Sequence, residues 1–247
     1  MVKETREKLD ISSLSFIRFI IVFFITGFIV KIIVEIIHEL FGHGLMVFLA
    51  GGKIDSITIS PLWPLEFSSI SWHLPEDVTP MILAFVNAGG IIACVISCII
   101  SLILLYFIQS EQRILFIIFF IWLAFWSLLN SSGYLIIGSL SPFGDVLRLI
   151  QLGFLNQFYS LLLGLGLFSS GFILLSLKLN QFFSQHFRTN SEYFVIMFWG
   201  LVPFLTFLTI WGYNFPLYFI FPSFLPMGAI LFYFLISIEK TKDVRRV

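Results

Sequence analysis

The residues best equipped for chemistry stand together at His38-Glu39-Leu40-Phe41-Gly42-His43, inside an apolar run from Leu14 to Ala50. An ionisable side chain placed in hydrocarbon costs roughly 2.5–3.5 kcal/mol on insertion scales, so a cluster of them marks a site rather than filler. Two imidazoles beside a carboxylate are the makings of a zinc hydrolase, in which the rings hold the metal and the carboxylate activates water. In the common form of that motif the two His are four apart, about 40° around a helix axis. Here they are five apart, a separation that an ideal α-helix turns through roughly 140°, too wide for one ion. Bringing both rings to one face requires the helix to absorb one extra residue, as a π-bulge does, and Gly42 and Gly44 make that bend accessible. The same ideal geometry gathers Glu35, Glu39 and His43 into a stripe of about 80° with His38 at its edge, which makes Glu35 an alternative ligand. Glu35 also follows Lys31 by one helical turn, where an ion pair is the simpler reading.

The elements that must position these groups are membrane helices. With 59% apolar residues, 32 Phe, 11% charged residues and a mean hydropathy of +1.02, the chain is an all-α polytopic membrane protein rather than a soluble domain. Apolar windows of spanning length fall at 16–50, 81–108, 114–138, 155–177, 193–213 and 215–238, about six transmembrane helices. The first is too long for one upright span and must tilt, bend or continue as an interfacial turn. It is also too long for the apolar core of a cleaved leader. Placing both termini in the cytoplasm puts most Lys and Arg of the connecting segments on that side, leaving Lys53 and Arg148 opposite, as the positive-inside rule favours. Between the first two windows, 53–60 and 67–74 are β-branched, aromatic and partly alternating, and they predict a short β-hairpin beside the membrane. The expected organisation is a cytoplasmic segment at 1–13, a catalytic membrane core of three spans plus the β-like loop 51–80 over 14–150, and a three-span region over 151–247.

Two families share parts of this pattern. The segment His38 to Gly44 resembles the lengthened zinc signature of the dipeptidyl peptidase III family, where both His are ligands and the Glu is catalytic; no second Glu-rich helix motif accompanies it here. Its setting is similar to the site-2 protease family of intramembrane zinc metalloproteases. The shared features are a His-Glu motif in an early span, then Gly51-Gly52 and short strands, a second span with Ala84-Phe85-Val86-Asn87-Ala88-Gly89-Gly90, and a distal Asp. That resemblance covers roughly residues 30–150. It implies that Asp145, in Ser141-Pro142-Phe143-Gly144-Asp145, is the third metal ligand, although the family places its Asp after Pro and before Gly. By itself Asp145 reads equally as a helix N-cap ahead of Val146. The resemblance further implies a site opening to the cytosol, whereas the charge count puts this end of both helices outside.

These readings converge on an integral-membrane enzyme that hydrolyses peptide bonds of membrane-embedded or membrane-proximal substrates, with Zn2+ on His38, His43 and Asp145 and with Glu39 as the proton carrier. A non-proteolytic metal-binding protein or small permease of the same fold is the alternative. Asn87 and Asn130 lie in spans, where they hydrogen-bond between helices or line a substrate groove. Cys94 and Cys98 read as packing thiols, and His73 and His186 as solvated loop residues. Expected partners are the lipid bilayer and a membrane-protein or peptide substrate. Zero formal charge and the lack of a long basic run point away from nucleic acid.

Overall fold

The computed structural model describes residues 13–60, 68–108 and 114–186, together with 194, 195, 198 and 199. The first apolar run forms one continuous helical rod: α1 (Ser13–Ile36), a π-helical segment (Ile37–Gly44) and α2 (Leu45–Leu49). Strands β1 (Lys53–Thr58) and β2 (Ser69–His73) follow, then α3 (Pro80–Phe107), α4 (Ile114–Leu140), a short α5 (Gly144–Gln151) and α6 (Gln157–His186). The described residues contain four helices long and apolar enough to cross a membrane: Arg18–Leu49, Pro80–Phe107, Ile114–Leu140 and Gln157–Gln185. Six spans were expected. The two windows at 193–213 and 215–238 fall almost wholly outside the described residues, as does the segment 1–12.

The long first window resolves as a rod in which one stretch is wound differently. Its 32 residues would make roughly 48 Å of α-helix, well beyond a core of about 30 Å. The antiparallel hairpin between the first two spans forms as expected, with Lys53 opposite His73 and Thr58 opposite Ser69. Its register shifts between Ile54 and Ser56, which leaves Asp55 unpaired in the ladder. With one helix on either side, the hairpin and α5 occupy connections of the same parity and so lie toward the same end of the bundle.

A single aromatic core holds the rods together. Phe23 of α1, Trp122 and Phe125 of α4, Phe183 of α6 and Phe198 interlock, with the Trp122 and Phe198 rings 5.0 Å apart and those of Phe125 and Phe198 4.8 Å apart. Small residues set the spacing. A Cβ on Gly27 would sit 2.5 Å from the Trp122 ring, and Trp126 Nε1 donates to the Gly27 carbonyl at 2.9 Å. Nearer the histidines, the π segment and α3 approach backbone to backbone: a Cβ on Gly42 would lie 2.5 Å from Gly90 Cα, and one on Gly89 would lie 2.6 Å from the Gly42 carbonyl oxygen. Backbone cannot swing aside as a side-chain tip can. Gly42→Ala is therefore expected to destabilise the fold by about 1–3 kcal/mol, while Phe41→Ala on the outward face, where the side chain is 60% exposed, shifts it by under about 0.5 kcal/mol. Thermal unfolding of the two variants in one detergent checks the contrast.

Candidate metal centre

In a π-helix the backbone bonds from i to i+5, so residues five apart stack on successive turns as residues four apart nearly do in an α-helix. His38 and His43 are the pair five apart in such a segment, and both rings are buried on one side. The extra residue is thus absorbed within the π-helical segment Ile37–Gly44. Their Nε2 atoms lie 3.3 Å apart.

Asp145 arrives from another element. Phe143 is extended, Gly144 takes a left-handed φ of 51°, and α5 turns back against α4. Gly138 of α4 allows this packing, since a Cβ there would meet Val146 at 2.6 Å. Phe143, not Asp145, holds the cap position, so the N-cap reading of Asp145 is set aside. Its Oδ2 instead lies 3.3 Å from Nε2 of His38 and 3.3 Å from Nε2 of His43. The three donor atoms form an equilateral triangle, and no other cluster of His, Cys, Asp and Glu that could hold a metal occurs among the described residues. Glu35 is buried on the same rod but stands outside this group.

Each ring is fixed from behind. His43 Nδ1 lies 2.7 Å from the Val86 carbonyl of α3 and can donate only its proton there, which leaves Nε2 as a lone pair. His38 Nδ1 faces Cys94 Sγ at 3.8 Å, and that thiol donates to Asn130 Oδ1 at 3.5 Å. Asn130 therefore anchors the support of His38, hydrogen-bonding between helices. Cys94 is more than a packing thiol; the available signal was its place one turn after Gly90, whose Cβ would strike the His38 ring at 2.5 Å. Tyr134, one turn beyond Asn130, stacks on His38 with ring centres 4.9 Å apart, and Trp72 of β2 stacks on His43 at 5.8 Å. Cys98 is buried nearby in the core.

With both protons on Nδ1, three electron pairs converge on one buried space, and in that state Asp145 Oδ2 meets no donor from either ring. Such an arrangement calls for a cation. A tetrahedral zinc with bonds of roughly 2.0–2.1 Å needs donors about 3.3–3.4 Å apart, so the triangle matches one face of that tetrahedron. Two imidazoles and a carboxylate are also its customary donors, and three protein ligands leave a fourth position open. Without an ion, protons must serve. Burial opposes charge on Asp145, but hydrogen bonds from His38 and His43 outweigh it and hold the carboxyl down at about 2. Glu39, also buried, interacts electrostatically with His38, His43 and Asp145.

No family model, curated protein or solved structure matches the chain. The geometry alone therefore speaks for the site. Among the remaining sequence candidates, Asn87 donates to its own helix at Leu83 O (2.7 Å) and borders a cavity of about 360 Å3 that also touches Trp72, Arg148, Gln151 and Leu152. His73 closes β2 rather than lying in a loop; it is solvated and pairs with Asp55 at 2.6 Å. His186 is the last residue of α6.

Detergent-purified protein is expected to bind one equivalent of divalent metal, as read by elemental analysis after dialysis. His43→Ala and Asp145→Ala lose it, and Glu35→Gln retains it. Metal and protons compete for the same Nε2 lone pairs, so the apparent affinity falls as pH is lowered from 8 to 5, a slope that titration at fixed ionic strength measures.

Proposed function

We propose that the chain is an integral-membrane zinc metalloprotease acting on peptide bonds of membrane-embedded or membrane-proximal substrates. The observation that carries the reading is the 3.3 Å triangle of His38, His43 and Asp145 with a buried carboxylate, Glu39, next to the first ligand in the chain. Zn2+, when bound there, supplies Lewis acidity to the scissile carbonyl and stabilises the negative charge that develops on its oxygen.

The chain's own residues supply the rest. His38 and His43 each turn Nδ1 toward a fixed partner, the Cys94 thiol and the Val86 carbonyl, and so present Nε2 to the ion. Glu39 takes a proton from the attacking water as that oxygen adds to the carbonyl carbon, then returns it to the amine nitrogen as the C–N bond breaks. Tyr134 and Trp72 flank the rings and keep bulk water from their faces. Gly144, at a left-handed φ of 51°, turns the chain just ahead of Asp145, where the site-2 protease pattern has its Gly after the Asp. In this reading both termini are cytoplasmic and the hairpin lies on the opposite side.

Glu39→Gln is expected to keep stoichiometric zinc and to lose at least about a hundredfold in cleavage. Comparing new peptide termini in membranes that carry wild type or Glu39→Gln reads this without a known substrate. Equal cleavage products in both would end the protease reading, and solute flux abolished by the same change would replace it with a permease. For orientation, Ser56→Cys in β1 is expected to react with a membrane-impermeant maleimide in intact cells, as an outside hairpin requires.

A further inference from the structure

The cavity beside the triangle has one charged wall. It is bounded by Trp72, Leu83, Asn87, Arg148, Gln151 and Leu152, one of which touches a ligand ring while two others lie close in the chain to residues of the metal centre. Trp72 is the ring stacked on His43. Asn87 follows Val86, whose carbonyl holds the His43 proton. Arg148 follows Asp145 by three residues in α5, so the two side chains lie on neighbouring positions of one helical face, about 5–6 Å apart at Cβ. One short helix thus delivers a ligand to the triangle and a guanidinium to the adjoining space.

That guanidinium is exposed on α5 and not neutralised. Arg148 Nη1 donates to Gln151 Oε1 at 3.4 Å, and among the described residues no carboxylate pairs with it. The other lining residues are apolar or neutral amide, so an anionic group entering the cavity meets a fork of donors, with Asp145 of the triangle the neighbouring carboxylate on α5. Leu83, Leu152 and the Trp72 face would take the apolar part of the same ligand.

We propose that this cavity is a subsite for a carboxylate of the peptide substrate, with Arg148 as the group that recognises it. This rests on the protease reading for the word substrate, but the cavity's preference for a carboxylate does not depend on hydrolysis. Two sources share that chemistry, an acidic side chain and a free C-terminus. An extended peptide advances roughly 3.3–3.6 Å per residue, so a carboxylate within one or two residues of the reacting carbonyl reaches from the triangle to Arg148.

The experiment measures binding of fluorescent apolar pentapeptides to Glu39→Gln protein in nanodiscs of zwitterionic lipid, with and without added Zn2+. One peptide has blocked ends and a central Glu, its twin has Gln, and a second pair has a free or an amidated C-terminus. The Glu peptide or the free acid is expected to bind about tenfold more tightly than its neutral twin, and Arg148→Gln is expected to erase that difference while leaving the neutral twins unchanged. Arg148→Lys retains part of the preference, since charge survives without the fork. Which pair shows the difference names the source. No carboxylate-dependent binding, or a preference that survives Arg148→Gln, overturns the proposal; so does its loss when anionic phosphate lipid is added at a few per cent, which would make Arg148 a headgroup contact. Peptide cleavage without charge preference would sink this inference alone, whereas an Arg148-dependent preference in a protein that never cleaves would sink the protease reading alone.

Discussion

Two imidazole nitrogens and a carboxylate oxygen aimed at one another across 3.3 Å in a buried space repel, and no hydrogen bond between them relieves all three. Everything around the site is organised to hold that arrangement. The Nδ1 protons are drawn away by the Val86 carbonyl and the Cys94 thiol, so neither ring can rotate its proton inward without losing a buried partner. Asp145 stays fixed by the packing of Val146 against Gly138. A cation bound by these three atoms would convert the repulsion into attraction, which is why the cluster reads as a coordination site and not as a polar patch between helices.

The cost of the arrangement is carried by backbone geometry. A π-segment makes poorer use of its hydrogen bonds than an α-helix, and such segments persist where neighbours stabilise them. Here the stabilising neighbour is α3, brought in at backbone contact by Gly42, Gly89 and Gly90. The same approach seats the His38 ring over Gly90 and sets Val86 at hydrogen-bond distance from His43. Winding, helix packing and ligand geometry are therefore one constraint: a rod of pure α-helix in this place would turn the two His apart by roughly 140° and leave the glycine cradle facing nothing useful.

Much of this was legible in residues 30–150. The five-residue spacing of His38 and His43, together with Gly42, called for a departure from α-helix, and the β-branched segments called for the hairpin. What sequence could not supply was the depth of support behind the rings. Cys94, Asn130 and Tyr134 sit on helices distant in the chain, and their relation to His38 depends on the crossing of α3 and α4, which small and aromatic residues set jointly. Asp145 was ambiguous for a similar reason: a carboxylate at the start of a short helix serves as a cap or a ligand according to where the helix is laid. Arg148 looked like an ordinary surface charge until the cavity placed it beside the site.

Position along the first helix bears on how such a site could work with water. His38 comes twenty residues after Arg18, about 30 Å of helix, which under the proposed reading places the triangle near the far boundary of a hydrocarbon core rather than at its middle. The hairpin and α5 lie toward that same end. Water then need not cross hydrocarbon to reach Glu39; it need only pass between elements that already carry polar groups, among them Asn87, Gln151 and Arg148. A substrate segment entering beside Trp72 would have its backbone at the depth where a membrane helix loses its lipid cover and can unwind, so the geometry that keeps the site hydrated also presents extended peptide to it.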